Sequence, residues 1–232
     1  TYGHQYGKAF NAHYQAQGFH PLMVFDGMTG DCLKVELRAG NVYTSRNIVS
    51  FIGPLLSHYQ KRFPSSYRIV RGDSGFAHKE LYKLCETLNT NYVIRLKANA
   101  TRLAKEVMDV FLEECSLQYS QQFYGEFEYQ AKSWDRPRRV IVQVRRKAGE
   151  LIPDYLFLVT NMETRPEMVI SLYAKRGTME NYIKECKNGF RMDKVSHKHW
   201  MTNVNRIQLM VLAYNLINGF RRLTLPHEFS KM

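Results

Sequence analysis

The sequence predicts a mixed α/β fold, and three patterns carry that expectation. A short apolar run, Tyr67 to Arg71, precedes a helical stretch, His78 to Leu88, and a second apolar run, Tyr92 to Leu96. That strand–helix–strand order builds parallel pairing. Phe19 to Phe25 and Asp31 to Leu37 flank a Gly27–Gly30 turn and form an antiparallel hairpin. Ser45 to Phe63 and Val204 to Leu223 place apolar residues at helical spacing. A sheet with both pairing senses, flanked by helices, follows.

Taken in order, the first 18 residues are rich in Tyr, His, Gln and Gly, and the hairpin follows them. In Ser45 to Phe63, Ile48, Phe51, Ile52, Leu55 and Leu56 share a side, with Ser45 placed to cap it. Tyr67 to Arg71 runs into Gly72-Asp73-Ser74-Gly75, and a carboxylate at the carboxyl end of a strand is where open α/β sheets place function. A helix is expected from Thr101 to Glu114. Strands near Phe123 to Ala131, Arg139 to Arg145 and Tyr155 to Val159 then read as a β-rich insertion. Glu167 to Phe190 carries a helix or helix pair, and Val204 to Leu223 the last helix. The expected segments are 1–100, 101–165 and 166–232, with no internal repeat.

Composition narrows the partner. The 232 residues are 44% hydrophobic, enough for a substantial core, and 33 Lys and Arg against 21 Asp and Glu leave a net charge of +12 spread along the chain. Such a charge favours polyanions, nucleic acid ahead of membrane. Cys32, Cys85, Cys115 and Cys186 stand apart without a C-x-x-C pair, so they read as reduced core thiols. No apolar run reaches 18 residues and no signal peptide is recognisable, so a soluble, cytoplasmic protein is expected.

The sharpest chemical pattern is Tyr173, Arg176, Glu180 and Lys187. On a helix these fall at roughly 0°, 300°, 340° and 320°, a stripe about 60° wide. A carboxylate flanked by cations there can hold a metal while its neighbours hold phosphate. The plainer reading is a surface helix with ion pairs worth a few tenths of a kcal/mol each. Gly177 inside the pattern marks a bend or a close approach to the backbone.

The spacing Tyr173-x2-Arg176-x3-Glu180-x6-Lys187 resembles the signature of IS4-like DDE transposases. Arg71-Gly72-Asp73-Ser74-Gly75-Phe76 with Tyr92-Val93-Ile94-Arg95-Leu96-Lys97 is similar to their second-aspartate region. The resemblance sharpens toward the IS1380 family through Gly3-His4-Gln5, Tyr14, Pro21-Leu22, Thr29-Gly30, Leu37-Arg38-Ala39-Gly40-Asn41, Asn205-Arg206-Ile207 and Ala213-Tyr214-Asn215-Leu216. It implies an RNase H-like mixed sheet with a β-rich insertion before the Glu-bearing helix. It also implies cleavage and joining of DNA at transposon ends, with double-stranded DNA as partner and room for a homodimer in that complex. The implied cofactor is a pair of Mg²⁺ or Mn²⁺ ions, which would clamp the attacking and leaving oxygens of a phosphoryl displacement.

By this similarity Asp73 and Glu180 are the metal-binding catalytic acids, Arg176 and Lys187 neutralise phosphates, and Tyr173 orients one by hydrogen bond. The family's first acid is expected ahead of Thr1, so the chain reads as a catalytically incomplete piece. The alternative is a DNA-binding remnant without chemistry. Asp26 and Asp31 read as hairpin-turn residues. Several relatives carry a tryptophan after the motif arginine where this chain has Gly177. Trp134 or Trp200 stacking on an extruded base competes with a packing role. His4, His13 and His20 lack metal-ligand spacing. His197 and His199 lie in a Lys-rich segment open to a DNA backbone or to solvent, and Asn205 and Arg206 are expected to open the last helix.

Overall fold

The computed structural model describes residues 5–12, 15–97 and 117–225. Its element order is β1 (Ala9–Asn11), β2 (Ala16–Gly18), β3 (Leu22–Phe25), β4 (Cys32–Glu36), α1 (Ile48–Arg62), β5 (Ile69–Gly72), a 3₁₀ turn (Ser74–Phe76), α2 (Lys79–Thr87), β6 (Asn91–Arg95), β7 (Gln121–Tyr129), β8 (Arg138–Arg146), β9 (Asp154–Thr160), α3 (Pro166–Ala174), α4 (Gly177–Asn188) and α5 (Trp200–Thr224). The helix expected over Thr101 to Glu114 lies outside the described residues, as do Cys115, His4, His13 and Tyr14. The chain divides into two compact units, Thr44–Lys175 and the pair of segments Thr1–Tyr43 and Arg176–Met232. The β-rich stretch shares a sheet with β5 and β6.

In the Thr44–Lys175 unit that sheet runs β5-β6-β9-β8-β7. β5 and β6 pair in parallel, as the strand–helix–strand pattern requires, and the other pairs are antiparallel. Tyr92, Val93 and Ile94 of β6 are completely buried, because the sheet is covered on both faces. Val93, Ile141 and Leu158 pack with Val169, Ile170 and Tyr173 of α3 on one side. On the other, Tyr92 stacks on Tyr82 of α2, ring centroids 5.1 Å apart. The edge strand β7 exposes Gln122, Tyr124, Glu126 and Glu128, and its charges discourage pairing with another chain.

The same unit holds a buried ionic network. Arg138, whose side chain is 2% exposed, donates through Nε and Nη2 to both oxygens of Glu86 at 3.0 and 3.2 Å, and through Nη1 to Asp135 at 3.1 Å. Its guanidinium lies over the rings of Tyr82 and Trp134. Glu86 also takes Arg136 at 2.8 Å and the Tyr92 hydroxyl at 2.9 Å.

The second unit is built on α5 and two hairpins, β1–β2 and β3–β4. Asn215 grips both backbone groups of Cys32, accepting its N–H at 2.8 Å and donating to its carbonyl at 2.9 Å. The Tyr214 hydroxyl donates to the Gly30 carbonyl at 2.8 Å, and Arg222 donates to both oxygens of Asp31 at 2.7 and 2.9 Å. The tail motif Ala213-Tyr214-Asn215 is thus the device that holds the hairpin on the last helix. Cys186 of α4 joins Cys32, Val35, Ile207, Val211 and Tyr214 in one apolar cluster.

Two local expectations are corrected and one left open is decided. The residue ahead of α1 is Asn47, at φ 59°, and no side chain caps the helix, so Ser45 is not its cap. Asn tolerates that left-handed turn where Ser does so less readily. α5 begins at Trp200 rather than near Asn205, since Asn203 reaches back to bond the N–H and carbonyl of His197 at 3.0 and 2.7 Å and fixes the turn there. The span Glu167 to Phe190 is a helix pair, interrupted at Lys175 and Arg176. Tyr173 therefore falls on α3 while Glu180 and Lys187 share α4, and the four positions do not lie on one continuous helix.

Burial pushes the thiols of Cys32, Cys85 and Cys186 up to about 12. Thiolate is the reactive form, so these three should resist Ellman's reagent at pH 8. At most one of the four thiols should react before denaturant is added. Rapid titration of two or more thiols in the native protein would contradict this burial.

Candidate active site

Asp73 is placed by the turn that follows β5. Its backbone is extended, φ −76° and ψ −177°, and its Oδ1 accepts the Gly75 N–H at 2.8 Å, capping the 3₁₀ turn. Two glycines allow this close winding. A Cβ on Gly72 would meet Phe76 at 3.1 Å, and one on Gly75 would meet Asp73 Oδ1 and the Thr44 side chain, each at 3.0 Å. The carboxylate is thereby oriented by its own turn at the tip of a parallel strand, half-buried.

Two residues earlier, Arg71 Nη1 donates to the Leu172 carbonyl at 2.9 Å. Leu172 lies in the last turn of α3, where unsatisfied carbonyls concentrate negative potential and a guanidinium is favourable. The Arg71 clamp joins the second-aspartate segment to the residue just before Tyr173. Sequence reasoning missed it; the only signal was an arginine beside Gly72-Asp73. Tyr173 itself is 8% exposed and packs with Val169 and Ile170 against the sheet, rather than standing on an open seam.

The other motif residues belong to α4. Arg176 stands at its N-terminal boundary and Glu180 in its first turn, where a carboxylate complements the helix dipole. Arg176 Nη1 donates to Glu180 Oε1 at 3.1 Å, with the Glu180 side chain 65% exposed. At that exposure the pair adds little stability. Lys187 is exposed in the last turn. Gly177 opens α4 with no atom within 4 Å of the position a Cβ would take, so it accompanies the break between helices rather than a close approach.

The remaining candidates are occupied structurally. Asp26 Oδ1 accepts the N–H groups of Met28 and Thr29 at 2.7 and 2.9 Å, and Asp31 pairs with Arg222, so both serve the β3–β4 turn. The bonds from Arg222, Thr29 and Asn218 hold the Asp31 carboxyl below its usual range although burial opposes them. Trp134 packs edge-on against Tyr82 and Tyr129, and Trp200 against Phe19. His20 Nδ1 lies 3.0 Å from the Val42 carbonyl. His197 and His199 are exposed, with the His199 N–H donating to His197 Nδ1 at 3.1 Å. Arg206 reaches Ser196 Oγ at 3.4 Å.

The sequence model of the family described as "Transposase DDE domain group 1" matches residues 1–232. The chain belongs to this family. Among solved structures, this DDE transposase domain is similar to a chain of the piggyBac transposase, described as a synaptic complex with hairpin DNA. The TM-score is 0.56 at 12% identity, covering 93% of this domain and 44% of that chain. The domain therefore spans less than half of that relative's length. No curated protein matches the transposase domain. The likeness establishes the fold, a five-stranded mixed sheet flanked by helices of RNase H-like type.

DDE transposase domains generally use divalent metal ions. Asp73 and Glu180 fit such ions in kind, as hard carboxylate donors. Among the described residues no group of three or more His, Cys, Asp or Glu is drawn together. Among the described residues no helix is long and apolar enough to cross a membrane.

Proposed function

We propose that the chain is the catalytic domain of an insertion-sequence transposase of the IS4-like, IS1380 type, cutting and joining DNA strands at transposon ends. The observation that carries the proposal is the Arg71–Leu172 clamp. It ties the strand tip bearing Asp73 to the helix that leads into the Tyr173–Arg176–Glu180–Lys187 motif. Tyr173 lies on that helix, and Arg176, Glu180 and Lys187 follow it in the chain. The family match across the whole chain and the net charge of +12 support the same reading.

In this proposal Asp73 and Glu180 are carboxylate ligands of divalent cations, Mg²⁺ or Mn²⁺, which would supply Lewis-acid stabilisation to the phosphoryl oxygens. Arg176 and Lys187 bring fixed positive charge to the phosphates of the DNA. Arg176 has a second task, holding Glu180 by their 3.1 Å bond so that the carboxylate is oriented before any ligand arrives. Tyr173, with its ring among apolar side chains, has only its phenolic oxygen to offer a phosphate.

A second reading is a domain that binds DNA through the same basic surface without chemistry, which the net charge of +12 serves equally well. Nicking of a duplex carrying the transposon end, in Mn²⁺ and with EDTA, separates the two. Nicking in Mn²⁺ above the EDTA background would support the first reading, and Asp73→Ala and Glu180→Gln should then fall to that background. Salt-sensitive binding without any nicking would leave the second reading. Nicking undiminished by Asp73→Ala would remove Asp73 from the site.

A further inference from the structure

The chain leaves α4 through an arginine in a conformation that disfavours arginine. Arg191 has φ 52°, in the left-handed region where a Cβ is crowded by the following carbonyl. The bend itself has a purpose in the fold. It returns the Met192 N–H to the Cys186 carbonyl at 3.1 Å and buries Met192 and Val195, 5% and 4% exposed, in the cluster around Tyr214. Glycine would make that bend without strain. A glycine does stand two residues earlier, but Gly189 is right-handed, φ −77°. Folding thus accounts for the bend and not for the guanidinium, and Arg191 is exposed.

Exposed lysines precede it on α4. Lys184 and Lys187 are exposed on α4, about 60° apart on the helical wheel, on the side away from the buried Cys186. They are separated by about 4.5 Å along the axis, comparable with the ~3.4 Å axial spacing of phosphates in one DNA strand. The acids nearby each have a partner: Glu180 pairs with Arg176, Glu185 with Arg221, and Asp193 with Lys194 at 3.5 Å. Lys184 and Lys187 on α4 and the strained Arg191 just past its end are thus three exposed cations within one short stretch of chain.

We propose that Lys184 and Arg191 join Lys187 in contacting the DNA sugar–phosphate backbone, without reading bases. The proposal rests on the DNA-binding reading above. It is tested with Arg191→Gly, Arg191→Lys and Lys184→Gln in the full chain, using anisotropy titrations of a mixed-sequence DNA duplex over a range of KCl, together with thermal melting. Arg191→Gly should melt at or above the wild-type temperature because strain is relieved. Its slope of log affinity against log salt should nevertheless fall by about 0.9, weakening binding roughly eightfold at 0.1 M salt. Lys184→Gln should lower the slope by a similar amount, and Arg191→Lys should keep it. Wild-type slope and affinity in Arg191→Gly, or an equal loss in Arg191→Lys, would overturn the proposal while leaving DNA binding intact. Absence of salt-dependent binding by the wild-type chain would instead remove the DNA reading itself.

Discussion

Replacing Arg138 by alanine is expected to cost about 3–5 kcal/mol, because it strands a partner that has left water. Glu86 is 16% exposed and receives two bonds from Arg138, and the guanidinium also fills the space over Tyr82 and Trp134. Removing it deletes a charge, two ring contacts and the tie between α2 and the start of β8. Arg136, whose side chain is 57% exposed, remains on Glu86 but offers one screened contact. Urea unfolding followed by tryptophan fluorescence reads the loss, with Trp134 a local reporter. A change under about 1 kcal/mol would mean the network is relaxed and wet in solution.

The same carboxylate makes stability depend on pH in a definite direction. Burial alone would raise the Glu86 pKa, but the hydrogen bonds from Arg138 and Tyr92 and the charge of Arg136 outweigh it and hold the group below the usual carboxylate range. A depressed folded-state pKa contributes stability that is present above the unfolded value, about 4.3, and is lost as pH falls through the folded one. Wild-type stability should therefore drop on acidification below about pH 4.5. Glu86→Gln, weaker at neutral pH, should show a shallower acid limb. Parallel curves for the two proteins would exclude Glu86 as the titrating group.

The second large effect is expected at Gly40. A Cβ there would stand 2.4 Å from the Ala9 carbonyl oxygen and 2.7 Å from that of Gly18, both backbone atoms that no rotamer change can move aside. Gly40 is also stitched in place, its N–H donating to Gly18 O at 3.0 Å and its carbonyl accepting Asn11 Nδ2 at 2.7 Å. Gly40→Ala must displace the β1–β2 hairpin, and about 3 kcal/mol, the upper range for overpacking, is expected. Amide exchange should show the loss first in the Ala9–Gly18 ladder. Gly177→Ala is the contrast. It opens α4 in empty space, so it should gain a few tenths to about 1 kcal/mol. Equal effects at both sites would refute the packing argument.

The hairpin over Leu22–Glu36, the parallel pair β5 and β6 and the apolar stretches of α1 and α5 were legible because period-2 and period-3.6 patterns are local consequences of burial. Asp73 was legible as a strand-tip residue for the same reason, since a short apolar run ending in Gly-Asp-Ser-Gly has few other ways to fold. The wheel for Tyr173 to Lys187 was less successful. It assumed an unbroken helix, whereas the turn at Lys175 and Arg176, of which Gly177 was the local sign, assigns Tyr173 to one compact unit and Glu180 to the other. Trp134 and Trp200 could not be placed from spacing either, because a lone aromatic is recruited by whichever neighbours the fold delivers.

By itself, the order of residues determined the secondary elements, the mixed sheet and which carboxylates and cations are available for chemistry, all of which depend on neighbours within a turn or a strand. Only tertiary structure decided that β9 joins β6 at the middle of one sheet, that Arg71 clamps Leu172 101 positions away, and that Asn215 holds Cys32 across 183. Those choices are set by competition among distant partners for the same buried hydrogen bonds, and a one-dimensional pattern does not say which distant partner wins.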